Sequence, residues 1–376
     1  MKLRFNSKVL LGGFAAACAL SMPEAHAGAT IPFGTDQSVS VGFGMRGSYS
    51  SVEDGASDGK SRSSDFNLDS ARLFFGAQLS KNIKGMFNTE WDGEQIRVLD
   101  AAGQFSIAPE LNIWAGRLLA PSDRANMAGP YYSLGGGYWA GVASRYGYNG
   151  GIFRGRDDGV TAWGNLMDGK LGYSFGVFEG HTFGVGSLTQ SQARAAGVKS
   201  SDNVMVAGRV QYDFWDAEPG YYGTGNYLGS KDILAIGVAA RQQKSGVLTV
   251  AKQGDYSSYN VDFLLEKKLA GSGAVSLESA YYNYNTGGVI LSEQGKAYSA
   301  GAAYIFDQAV GAGKLQPFVR FQKFSPDTKI DTRQSDLGVN YIIDGYNAQV
   351  SAVYSRTKVT ARADQSKVVI AMQLQY

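Results

Sequence analysis

Residues 368–376 carry the clearest pattern in the chain. Val368, Ile370, Met372, Leu374 and Tyr376 share one parity; Val369, Ala371, Gln373 and Gln375 share the other. A period of two with one apolar and one small or polar face suits a strand between lipid and water. The edge strand of a soluble sandwich has the same period, but here the pattern recurs along the whole chain. Val39, Val41, Phe43 and Met45 alternate with Ser40, Gly42, Gly44 and Arg46. Ala71, Leu73, Phe75, Ala77 and Leu79 alternate with Ser70, Arg72, Phe74, Gly76 and Gln78. Leu171, Tyr173, Phe175 and Val177 lie opposite Gly172, Ser174, Gly176 and Phe178, and Leu234, Ile236 and Val238 opposite Ala235, Gly237, Ala239 and Arg241.

The alternation predicts sixteen strands, over 37–50, 66–80, 83–92, 95–107, 110–119, 158–167, 170–180, 203–214, 232–243, 256–268, 273–285, 296–306, 314–324, 333–343, 346–356 and 366–376. Short connections, such as Lys81-Asn82, Asp168-Gly169 and Asp344-Gly345, alternate with longer ones at 51–65, 120–157 and 181–202. An even strand number with short turns on one rim and long loops on the other is the plan of an all-β, antiparallel transmembrane β-barrel. Segment 215–231 departs from it, being long, rich in Tyr and Gly, and placed on the short-turn side.

Composition agrees. Gly is 50 of 376 residues, close to twice the usual ~7%, and many Gly fall at inward positions or turns. Charged residues are 18%, below the roughly 25% of a soluble domain, as expected when one face of every strand meets hydrocarbon. Hydrophobic residues at 44% exclude a disordered chain, and the small basic excess gives no footprint for nucleic acid.

The amino terminus reads as an address. Lys2, Arg4 and Lys8 precede an apolar run from Val9 to Leu20, and Ala25-His26-Ala27 follows. This is the layout of a secretory signal peptide, too short for a spanning helix, with cleavage expected after Ala27. Those three bases against Glu24 account for the whole net charge of +2, so residues 28–376 are neutral by count. They contain no Cys and one His, His181.

The order of segments resembles the phosphate-selective porin O and P family. The resemblance rests on SARLFFGAQL at 70–79, VLDAAGQFSIAPELNIWAGRLLAPSD at 98–123 and RDDGVTAWGNLMDGKLGYSFGVFEG at 156–180. It continues through DNVMVAGRVQYDF at 202–214, LQPFVRFQKF at 315–324, SDLGVNYIIDGYNAQVSAVYSR at 335–356 and the terminal strand. It implies a trimeric outer-membrane channel of a Gram-negative bacterium, passing small polar solutes and ions, with an inward-folded third loop at 120–157. The terminal set Val368, Ile370, Met372, Leu374 and Tyr376 is similar to the signal such proteins show to the barrel-assembly machinery.

Parity places Arg46, Arg72, Lys84, Arg209, Arg241 and Arg320 toward the lumen as candidate anion-binding groups. Guanidinium forks suit phosphate or carboxylate. Parity also puts Glu90, Asp100, Asp262, Glu266 and Glu278 there, and the third loop adds Arg124, Arg145, Arg154 and Arg156. Opposed charges across a narrow pore favour polar solutes without strong ion selectivity, and pairing of the two signs is the simpler expectation. Tyr131, Tyr132, Tyr138, Trp139, Tyr146 and Tyr148 offer either a stacking track for solutes or loop packing. A plugged structural or adhesive barrel is the competing class. An outer-membrane hydrolase is the least favoured, because His181 stands alone without a nucleophile at catalytic spacing. No cofactor, metal or nucleic-acid partner is expected.

Overall fold

The computed structural model describes residues 28–376 apart from Asp92, Glu94, 136–140, 147–154, 181–182, 185–194, 196–202 and 250–251. The expected signal segment, His181, Arg154, Tyr138, Trp139 and Tyr148 therefore lie outside the described residues.

All sixteen expected strands are present: β1 Ser38–Val52, β2 Asp65–Ser80, β3 Ile83–Trp91, β4 Ile96–Ala108, β5 Leu111–Leu119, β6 Arg156–Leu166, β7 Leu171–Phe178 and β8 Met205–Asp213. The second half comprises β9 Ile233–Leu248, β10 Gln253–Leu269, β11 Gly273–Asn285, β12 Gly295–Phe306, β13 Gly313–Pro326, β14 Thr332–Asp344, β15 Ala348–Val359 and β16 Gln365–Gln375. Each strand pairs antiparallel with the next, and β16 returns to β1 from Lys367↔Val52 to Gln375↔Gly44. The sheet is thus a closed barrel without a free edge, as a sheet in lipid requires.

Among the described residues, three short strands were not anticipated: Gly28–Pro32 and the two-residue strands Phe183–Gly184 and Ala309–Val310. Gly28–Pro32 pairs antiparallel with β1, setting Gly28 opposite Gly42. Beside it, Phe43 and Tyr376 exchange two backbone hydrogen bonds of 2.7 Å. The Gly28–Pro32 strand and the terminal β16 therefore share the same seam on β1. Five residues with Pro at one end and Gly at the other are too short to show a period.

The wall is apolar outward and polar inward. Ile370, Met372 and Leu374 are exposed on the outer face, whereas the alternating Gln373 is 2% exposed. Gln316, Gln322, Asn340 and Ser351 are similarly buried on the inside. A soluble sandwich would bury the opposite parity, so the competing edge-strand reading falls. Among the described residues, no helix is long and apolar enough to cross a membrane.

The long connection after β5 turns into the barrel. Ala120 N–H donates to Gly155 O at 2.9 Å, pinching its two ends together. Between them, the short helix Arg124–Ala128 has all its residues buried, and a 3-10 turn Pro130–Tyr132 follows. Two inward glycines make the fit possible by lacking a side chain. A Cβ on Gly301 would stand 2.9 Å from Leu134 of the loop, and one on Gly237 would stand 2.2 Å from Arg209 Nη2. The Gly excess in the composition is here an adaptation of the wall to what it encloses.

Candidate functional site

The inward guanidiniums fall into two groups. In the first, a wall arginine meets a carboxylate on a nearby strand. Arg320 of β13 donates through Nε to Asp336 of β14 at 2.8 Å, the two residues being direct cross-strand partners. Arg72 of β2 pairs with Glu90 of β3 at 2.5 Å, and they too are directly opposite. Arg209 reaches over Gly237 of β9 to hold Asp262 of β10 through two bonds of 2.6 and 2.8 Å. Such forks gain energy only with good geometry, because both ions have left water.

In the second group, a guanidinium fastens the inward loop. Arg241 donates to the carbonyls of Ala120 at 3.0 Å and Pro121 at 3.1 Å, and lies 4.5 Å from the Tyr146 ring. Arg209 adds a bond to Ser122 O at 3.1 Å. Arg46 and Arg72 stand 5.8 and 4.8 Å from the Tyr131 ring, whose hydroxyl shares a 2.9 Å hydrogen bond with Ser70. Arg156 pairs with Asp100 at 2.7 Å where the chain rejoins the wall. Arg145 pairs with Glu293 and lies 4.2 Å from the Phe324 ring.

The remaining expected residues take other places. Lys84 is half-buried between Gln78 and Gln104 on the flanking strands. Glu278 lies across Gly301 from Arg320, in one row over three strands. Glu266 has neutral donors: Tyr227 N–H at 2.7 Å, Gly229 N–H at 2.5 Å and the Ser276 hydroxyl at 3.0 Å. Asp158, on β6, is held by Arg117 of β5 through two bonds of 2.7 Å.

The described loop tyrosines pack rather than form a track. Tyr131 is 1% exposed, Tyr132 donates to Gln375 Oε1 at 3.1 Å, and Tyr146 donates to Asn260 Oδ1 at 2.7 Å. Tyr146 clusters with Tyr282, Tyr284 and Phe324 of the wall. Asp123, at the N-terminal side of the loop helix, accepts from Tyr282 at 2.7 Å and Ser144 at 3.0 Å. Burial pushes its carboxyl up to about 6, and the neighbouring Asp262 adds to this against the two hydrogen bonds.

Two partners were missed. Asp336 shares inward parity with Asn340 and was open to the same reading as Arg320. Glu218 lies in 214–232, where no period assigns a direction. It accepts from Arg124 of the third loop at 2.8 and 2.7 Å, 94 residues away in the chain. Burial opposes its charge, but Arg124 outweighs burial and holds the carboxyl below the usual range.

No sequence family and no curated protein matches this chain. Solved structures do resemble its fold. An anion-selective porin from Comamonas acidovorans superposes with a TM-score of 0.58 at 13% identity, over 90% of this chain and 100% of that one. Salmonella typhi OmpF gives 0.60 at 13% identity, over 93% and 100%. Pseudomonas putida OprB gives 0.60 at 10% identity, over 90% and 94%. The fold is that of the porin barrels.

Proposed function

We propose that this protein is an outer-membrane porin, exported with cleavage after Ala27 and assembled as a trimer, that lets small hydrophilic solutes and ions diffuse passively. One observation carries the reading: a closed sixteen-stranded barrel, apolar outside and polar inside, with its third loop folded into the bore. The similar folds of an anion-selective porin and of OmpF support it. The outward apolar set ending in Tyr376 supports recognition by the barrel-assembly machinery and contact with outer-membrane lipid.

Arg72, Arg209 and Arg320 each face a carboxylate, so the reading is of weak selectivity between anions and cations. The finer alternative, a phosphate- or anion-preferring channel, has the inward arginine set in its favour. Proteoliposomes test the function. Uptake of small polar solutes should rise linearly with the gradient and not saturate; uptake no faster than in empty liposomes would overturn the proposal. The salt-gradient reversal potential should lie near zero, and phosphate should leave chloride current unblocked. A strong anion potential with phosphate block would favour the alternative, and Arg320→Ala should then reduce that potential.

A further inference from the structure

The connection 214–232 is longer than its place in the wall requires. The β8–β9 ladder continues past Asp213↔Ala235, with Phe214 N–H donating to Leu234 O at 2.8 Å and Asp216 N–H to Asp232 O at 3.0 Å. A hairpin at that point needs only ~2–5 residues to turn, so 217–231 are surplus to closing the wall.

The surplus crosses the bore. On one side, the Tyr221 ring lies 4.8 Å from Trp114 and 5.8 Å from Trp163, and its hydroxyl donates to Leu119 O at 2.5 Å. On the other side, Tyr346, in the turn between β14 and β15, donates to Asn226 O at 2.9 Å. Between them, Gly225 N–H donates to Tyr132 O of the third loop at 2.7 Å. Arg124 of that loop binds both Glu218 oxygens and adds a bond to Thr224 O at 3.0 Å. Tyr227 donates to the same carboxylate at 2.7 Å. A cavity of about 40 Å³ lies against Arg209, Gln211 and Tyr222, room for a few water molecules at ~10–15 Å³ of such volume each.

We infer that 214–232, rising from the short-turn rim, is a second constriction that sets the size limit of the channel. The Arg124–Glu218 pair locks it to the third loop. The inference rests on the channel reading above. A plug of this chemistry admits water and small ions and turns away sugars and larger solutes.

The test replaces 217–231 by an Asn-Gly turn, which suits a two-residue hairpin, and adds Glu218→Gln in the full-length protein. Single-channel conductance and the largest oligosaccharide entering proteoliposomes are compared, with folding checked by heat-modified mobility. The excised barrel should conduct several-fold more and admit larger sugars. Glu218→Gln should give a smaller rise in the same direction. A folded excised barrel with unchanged conductance and size limit overturns the inference, as does Glu218→Gln behaving as wild type should the excision fail to fold. Silence in both wild type and excised protein defeats the channel reading and this inference together. A silent wild type with a conducting excised variant upholds the obstruction while defeating the channel reading alone.

Discussion

Among the described residues, two connections enter this barrel, from opposite rims, and they are built differently. The third loop brings cations, Arg124 and Arg145, and a short buried helix; its entry is held by Arg209 and Arg241 donating to its carbonyls. Segment 214–232 brings a carboxylate, backbone donors and a tyrosine pair; Glu218 and the Glu266 contacts hold it. Arg124 of one meets Glu218 of the other, so they join through a fork rather than by apolar packing alone. Apolar contacts seat both segments, Leu134 against Phe318 and Tyr221 against Trp114, and directional bonds to the polar wall fix their positions.

The largest effect should come from the contact the two segments share. Arg124→Ala leaves Glu218 buried without its cation, which costs about 3–5 kcal/mol. Urea unfolding should register the loss and single-channel records should turn noisy. Wild-type stability with quiet records would mean that the segments are held independently.

Smaller substitutions separate the two. Tyr131→Phe removes the hydroxyl bond to Ser70 and should loosen the third loop alone. Tyr221→Phe removes the bond to Leu119 O and should loosen 214–232. Each should cost about 0.5–1.5 kcal/mol. Limited proteolysis should then expose a different segment in each variant, and identical cleavage patterns would show that the segments move as one unit.

The smallest effect is electrical. The Asp123 carboxyl, pushed up to about 6 by burial, binds a proton in the folded state that the unfolded chain releases near pH ~3.9. Its contribution to stability is therefore full below about pH 4 and lost as pH rises through 6. Acidification through 6 also removes this negative charge from the lumen. The reversal potential should shift toward anions across that range, and Asp123→Asn should reduce the shift.

The wall was legible because lipid outside and mostly polar groups inside impose alternation, even where inward apolar residues such as Trp114 and Phe318 pack against the loops. Arg46, Arg209, Arg241 and Arg320 were placed inward by that rule alone. Asp336 obeys the same rule beside Arg320 and needed only its extension to the next strand. Glu218 did not, because a connection has no period and its partner is a distant loop residue; length and misplaced position were its only signals. What Arg241 does was equally hidden, since a carbonyl of Ala120 leaves no mark in a side-chain pattern.

Planar-bilayer recording of the purified, folded wild-type protein tests the central claim most directly. Discrete conductance steps of uniform size, proportional to salt and with a reversal potential near zero, are the predicted result. A folded protein that inserts without any steps would contradict the account and leave a sealed barrel in its place.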